Sequence, residues 1–336
     1  MIYFIATGGT IAMRRSAAAG GNVPALSGKE LLELAGDLPG MEQVEIDEWE
    51  RLPGVHRDQA ALWAMRNRVR DVVSRPDPPA GIVITHGTDT LEETSYLLAR
   101  TVEPEVPVVV TGAMHTSSDA DWDGPRNLRD AFLVAAHPES RGRGTMVVFA
   151  GRILDGLYAT KLDSSSVDAF GEVGKSVGVG RSVGREVGKS VEVGRSVGCV
   201  VGDRVIFHEP PAPRPVTLFP QNLSAEVPIV PFVLGDRGQL LAAAFDYADG
   251  VVIEGFGRGN CPPGVLPAVQ KWLAAGRPVV LSTRCPFGEV GGEYAFDGGG
   301  GQLLRMGVIP AGARNSSLAR MELVISLGAE VPYGTA

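Results

Sequence analysis

The chain is 336 residues long, beyond the roughly 250–300 residues at which a single hydrophobic core stops growing, so two domains are expected. Apolar residues make up 44% and charged residues 21%, which excludes disorder as the prevailing state. A net charge of −8, from 31 basic and 39 acidic side chains, argues against nucleic acid or an anionic membrane as partner.

Short apolar runs, each closed by glycine or a hydroxyl residue, alternate with segments of helical period. The runs IYFIATGG (2–9), GIVITHG (81–87), VPVVVTGA (106–113) and TMVVFAG (145–151) are rich in β-branched residues and read as strands buried on both faces. Between them, Lys29–Ala35, Gln59–Val73, Thr90–Arg100 and Pro125–Ala136 read as helices. Thr88, Asp89 and Thr90 followed by Glu92 and Glu93 predict a helix start with a capping hydroxyl and acids in its first turn. This alternation predicts an α/β fold whose larger N-terminal domain has a mainly parallel sheet flanked by helices. That domain is expected over 1–207, a proline-rich linker over 208–222, and a smaller C-terminal α/β domain over 223–336. The second domain resumes with strands at 227–233, 250–257 and 277–283 and helices at Pro263–Ala275 and Asn315–Leu327.

Glycine is abundant, at 44 residues. Part of it lies in 171–198, where the unit VG(K/R)SV recurs at 173, 179, 187 and 193. Two near-copies of a 14-residue block are too few for a stacked repeat architecture, and the segment reads as a tandem expansion in a surface loop. Three cysteines without a CxxC pair argue against a disulfide framework or a structural zinc site. The opening MIYFIATGG lacks a charged region before an apolar stretch, and no apolar run reaches the ~18–20 residues that span a bilayer. A cytoplasmic protein is the expectation.

Ligands of parallel α/β sheets sit beyond the carboxyl ends of the strands. After the first strand comes Thr7-Gly8-Gly9-Thr10, and after the next clear one His86-Gly87-Thr88-Asp89-Thr90. TGGT lacks both GxGxxG spacing and the GK(S/T) lysine, so it is not a nucleotide loop. Taken alone it reads more simply as a turn whose threonines cap a helix. Two hydroxyl-and-glycine loops at one sheet edge are a more specific constellation.

TGGTIA followed about 75 residues later by ITHGTDT resembles the bacterial L-asparaginase (asparaginase/glutaminase) family. The resemblance continues through EETSYLL (92–98), GAM (112–114), DGPRNL (123–128), LDGLYATK (154–161) and GFGRGN (255–260), in order and over nearly the whole chain outside 171–198. It implies a two-step hydrolysis of a side-chain carboxamide, such as L-asparagine to aspartate and ammonia, without metal or organic cofactor. It also implies a homo-oligomer, a dimer or tetramer. Thr10 resembles the nucleophile that forms the acyl-enzyme. Thr88, Asp89 and Lys161 resemble the associated triad, with Asp89 also holding the substrate's ammonium group. Gly9 and Gly87 let backbone approach the substrate, and the amides of Thr10 and Thr88 are the oxyanion-hole candidates. Asn260 resembles a residue that reaches the site of a neighbouring subunit.

A threonine hydroxyl is a poor nucleophile until a base takes its proton, which is why a lysine belongs in such a set. His86 is expected to be structural, and His115 stands outside the expected site. The chain also departs from the family pattern. Many members carry a tyrosine on the loop after TGGTIA, whereas 13–31 contains none and has Asn22 and Val23 about where it would sit. The serine that binds the substrate carboxylate in members corresponds to Gly54–Val55, leaving His56 or Arg57 as the substitute anion contacts. Glu289 and Glu293 are both open as the acidic partner of the absent tyrosine. Two further functions share this core: a non-catalytic amino-acid-binding or regulatory homologue, and the amidase subunit of a tRNA-dependent amidotransferase. The missing tyrosine and serine favour the former, while the intact Thr/Thr/Asp/Lys set favours an amidohydrolase.

Overall fold

The β-branched runs at the start of the chain do form the centre of a sheet in the computed structural model, which describes residues 1–36, 38, 43–173 and 196–335. Two compact units emerge: one holds residues 1–172 and 196–217, the other residues 173 and 218–335. The greater part of the VG(K/R)SV repeat lies outside the described residues.

In chain order the first unit contains β1 (Ile2–Gly8), the hairpin β2 (Met13–Ser16) and β3 (Gly21–Pro24), α1 (Gly28–Ala35), β4 (Val44–Leu52), α2 (Gln59–Val73), β5 (Gly81–Thr85), α3 (Leu91–Thr101), β6 (Val108–Thr111), α4 (Gly124–Ala136), β7 (Thr145–Phe149), β8 (Arg152–Asp155), β9 (Ala159–Lys161), β10 (Phe170–Glu172), β11 (Gly198–Val201) and β12 (Arg204–Phe207). Eight strands make one sheet in the order β12-β11-β8-β7-β6-β5-β1-β4. From β4 to β7 the pairs are parallel, and from β7 to β12 antiparallel. Strands β9 and β10 form a separate antiparallel ribbon.

Successive side chains of a strand point to opposite faces, and the core divides accordingly. Phe4, Val83, Val109 and Met146 pack with Leu128 and Phe132 of α4 and Leu31 of α1. Tyr3, Ile5, Ile82, Ile84 and Val110 pack on the other face with Val69 and Val72 of α2 and Leu91 and Leu98 of α3. Helices therefore cover both faces, and the carboxyl ends of β1, β5 and β6 are aligned along one edge by the registers Ala6↔Thr85 and Thr85↔Thr111.

The hairpin β2–β3 replaces the expected loop after TGGTIA. Ser117 donates its N–H (3.2 Å) and its hydroxyl (3.0 Å) to the Met13 carbonyl, and Arg15 N–H donates to Ser118 Oγ at 2.9 Å. The ends of the segment 171–198 are also built in. Gly171 and Glu172 belong to β10, Gly198 begins β11, and Glu172 Oε1 accepts from the buried Asp155 N–H at 2.7 Å.

The second unit contains β13 (Ile229–Pro231), α5 (Gln239–Ala244), β14 (Val251–Gly255), α6 (Leu266–Ala274), β15 (Val279–Thr283), α7 (Gly300–Met306), β16 (Ile309–Pro310) and α8 (Ser316–Gly328). Its four strands are parallel in sequential order, around a core that includes the fully buried Trp272, whose indole N–H donates to Leu241 O at 2.9 Å. The proline-rich stretch 208–222 carries neither helix nor strand. Among the described residues no helix is long and apolar enough to cross a membrane.

Candidate active site

Three connecting segments meet at the carboxyl edge of the large sheet through glycines. Gly9 follows β1 with φ of +82°, and a Cβ built on it would stand 2.5 Å from the Gly87 amide nitrogen and 2.7 Å from the His86 carbonyl carbon. A Cβ on Gly87 would stand 2.9 Å from the Gly54 nitrogen, and one on Gly54 would stand 2.7 Å from Thr90 Oγ1. The loops after β1 and β5 and the turn after β4 are thus packed backbone against backbone, which only glycine permits. Thr10 and Thr88 each follow one of these glycines, so both threonines stand one residue beyond the backbone contact that joins the loops.

Thr88 is buried, with its hydroxyl accepting a hydrogen bond from Lys161 Nζ at 2.9 Å. The same ammonium donates to Asp89 Oδ1 at 2.8 Å. Asp89 is 63% exposed and Lys161 20%, so the carboxylate faces outward while the amine sits between it and the buried hydroxyl. Lys161 ends β9 on the separate ribbon, and its backbone N–H donates to Glu92 Oε2, at 3.0 Å, in the first turn of α3. The structure therefore joins Lys161, Thr88 and Asp89 directly, and adds Glu92. In the sequence Glu92 was visible as an acid at a helix start and as the first residue of EETSYLL, without a role.

The expected capping hydroxyl is not made. Thr90 occupies the N-cap of α3 without a side-chain cap bond, and its Oγ1 is buried with no hydrogen-bond partner among the described residues. The hydroxyl instead faces the space that the missing side chain of Gly54 leaves.

His86 is fully buried. Its Nδ1 lies 2.8 Å from the Gly87 carbonyl and its Nε2 lies 3.0 Å from Thr94 Oγ1. A carbonyl can only accept, so Nδ1 carries the proton and Nε2 receives the threonine hydroxyl. Burial, and then the nearby Arg57 charge, push this imidazole down to about 3 against the opposing Gly87 bond. It is a neutral structural pin for the loop. Arg57, expected as an anion contact, donates through Nη2 to the carbonyl of Thr7, so part of its guanidinium already serves the end of β1. His56 is exposed in the turn Gly54–His56.

The DGPRNL motif turns out to be scaffolding for this edge. Asp123 accepts from Met114 N–H through both oxygens at 3.1 Å and from His115 N–H at 2.9 Å. Asn127 donates to Gly112 O and accepts from Ala150 N–H, each at 3.0 Å. One helix start thereby fastens the loop after β6 to the end of β7. His115 pairs instead with Asp121 at 3.0 Å. Asn260 lies in the second unit, where its Oδ1 accepts from the Gly300 N–H at 3.0 Å. Nearby Arg258 holds Glu293 and donates to the Glu289 carbonyl at 2.9 Å.

Residues 1–191 match the family model "Asparaginase, N-terminal", and residues 226–332 match "Glutaminase/Asparaginase C-terminal domain". The chain is 37% identical over 325 residues to a probable L-asparaginase of Deinococcus radiodurans, covering 96% of this chain and 91% of that one. It is 31% identical to an L-asparaginase of Bacillus licheniformis, covering 97% and 95%. The solved structure of a probable cytoplasmic L-asparaginase from Campylobacter jejuni shares the fold, with a TM-score of 0.78, 24% identity, and coverage of 97% and 94%.

Proposed function

The chain belongs to the asparaginase family, and we propose on that footing that it hydrolyses the side-chain amide of L-asparagine to aspartate and ammonia through an acyl-threonine. The observation that carries the mechanism is the placement of Lys161 Nζ between Thr88 Oγ1 and Asp89 Oδ1, at 2.9 and 2.8 Å.

In this reading Thr10 Oγ1 attacks the amide carbon while its proton passes to a base. The carbonyl oxygen takes up negative charge facing the amides of Thr10 and Thr88, where each donor is worth roughly 3–4 kcal/mol of transition-state stabilisation. The C–N bond then breaks, the nitrogen leaves as ammonia with the transferred proton, and an ester remains on Thr10. Water attacks that ester, its proton passing through the Thr88 hydroxyl to Lys161; the bond from the acyl carbon to Thr10 Oγ1 then breaks, the proton returns to Thr10 Oγ1, and aspartate departs. Lysine accepts a proton only as the neutral amine. The substrate's α-ammonium, bound at Asp89, takes up the carboxylate that Lys161 Nζ otherwise contacts at 2.8 Å. Gly9, Gly87, His56 and Arg57 line the approach of the substrate backbone in this account. His86, neutral and enclosed, takes no part in proton transfer.

Similarity running along nearly the full length of L-asparaginases, with the lysine, threonine and aspartate in contact, favours hydrolysis over an amidotransferase subunit or a non-catalytic binder. We further assign the chain to the cytoplasm, and to a homo-oligomer in which Asn260 serves a neighbouring copy. Light scattering giving a mass of two or four chains supports the assembly, and a stable active monomer contradicts it.

The activity is tested by following ammonia while purified protein is offered L-asparagine, D-asparagine, L-glutamine and β-aspartyl amides. Release from L-asparagine is expected. Tight binding with no ammonia from any of them would turn the assignment to a binding protein.

A further inference from the structure

We propose that Glu92 is a positioning residue for Lys161: its carboxylate clamps the backbone of the lysine-bearing strand to the same helix start that carries Thr88 and Asp89, and so aims the amine. The proposal rests on the assignment of Lys161 to proton transfer above.

The need for such a clamp follows from topology. Thr88 and Asp89 lie on the loop after β5, a central strand of the large sheet. Lys161 lies on β9, whose only sheet partner among the described residues is β10. Among the described residues no strand ladder connects the two pieces, yet the amine must meet two oxygens at hydrogen-bond distance. The antiparallel ladder leaves Lys161 facing Phe170, and the next amide along, Leu162 N–H, is the one that bonds back to Ala169 O at 2.7 Å. Ladder bonds alternate sides, so Lys161 N–H turns away from the ribbon. Glu92 Oε2 takes that N–H at 3.0 Å.

Glu92 is the second residue of α3, and Asp89 stands three residues before it. One rigid turn of chain thus holds both the main chain and, through Thr88 and Asp89, the side-chain amine of Lys161. A carboxylate in the first turn of a helix is favoured by the unpaired amides there, and a charged acceptor makes a stronger bond to N–H than a neutral one. A misplacement of about 1 Å in a reacting group costs on the order of a hundredfold in rate, so a clamp of this kind has catalytic consequences without touching substrate.

The test compares full-length wild type, Glu92→Gln and Glu92→Ala. Glutamine keeps an oxygen acceptor for the N–H and alanine does not, and Glu92→Met serves if the alanine variant does not fold. Ammonia release from L-asparagine should show kcat lowered roughly 10- to 100-fold in Glu92→Ala with KM changed far less, the acidic limb of the pH–kcat profile displaced, and most of the loss recovered in Glu92→Gln. In parallel, the rate at which an amine-directed acylating reagent labels Lys161, read by peptide mass, should rise in Glu92→Ala and stay near wild type in Glu92→Gln. Unchanged kcat and pH profile in Glu92→Ala, or equal damage in both variants, would overturn the proposal. If the wild type itself releases no ammonia, the functional assignment fails. The labelling rates then decide the clamp alone, with equal rates in all three proteins ruling it out.

Discussion

Gly9 and Gly87 are in backbone contact: any side chain on Gly9 would begin 2.5 Å from the Gly87 amide nitrogen. Two loops that follow different strands are thereby locked together one residue before each threonine. Gly9→Ala adds both this collision and the strain of φ at +82°, the latter alone costing about 1–2 kcal/mol. It is expected to lower unfolding free energy by more than ~2 kcal/mol and to abolish turnover. Gly20→Ala, at φ +68° in the hairpin turn with nothing within 4 Å, should cost only the strain and leave activity near wild type. Chemical denaturation of both variants checks the contrast.

His86 predicts a pH dependence of stability. Its imidazole is held at about 3 in the folded chain, against about 6.5 unfolded. Above pH 6.5 neither state binds the proton. As pH falls, the unfolded chain binds it first, so folding loses up to about 1.4 kcal/mol per pH unit between roughly 6.5 and 3. Denaturation curves across this range should flatten in His86→Gln. A wild-type slope matched by the variant would dissociate the effect from His86.

Asp130 gives the opposite sign. It is 4% exposed on α4, one carboxyl oxygen lacks a hydrogen bond, and burial raises it to about 6 against the moderating charges of Arg126 and Arg129. A raised carboxyl favours folding below its unfolded value near 4, and this benefit is lost as pH rises through 6. Asp130→Asn should therefore be more stable than wild type at pH 7–8, by up to about 3 kcal/mol from the shift alone. The gain should vanish below pH 4. A variant no more stable than wild type at pH 8 would contradict a destabilising burial of this carboxylate.

Asn127→Ala is expected to lower stability by roughly 2–3 kcal/mol, because the Ala150 amide and the Gly112 carbonyl both lose their partner. The loop after β6 should become more open to hydrogen exchange. Unchanged protection at Met114 and His115, held by Asp123 in the same web, would show that Asp123 alone suffices.

The central strands and most helices were legible because their sequences obey one rule at a time. Ile2–Gly8 and Gly81–Thr85 are buried on both faces and read as unbroken apolar runs. By contrast β4, VEIDEWERL, alternates with charged residues because it lies at the edge of the sheet, and the hairpin at 13–24 depends on Ser117 and Ser118, a hundred residues away. The site followed the same division. Thr88, Asp89 and Lys161 were found through motif order, since hydroxyl, carboxylate and amine chemistry leaves a mark on residue choice. Glu92 was not, because its bond is to a main-chain N–H that any residue supplies. The role of Gly54 was also hidden, since its contact with Gly87 exists only once three loops are folded together.

On the proposed mechanism Thr10 carries the acyl group. Acid quenching during turnover of L-asparagine, followed by proteolysis and peptide mass analysis, tests it most directly. An aspartyl increment is expected on the peptide containing Thr10, absent from Thr10→Ala. The same increment on the peptide containing Thr88, or full turnover by Thr10→Ala, would contradict it.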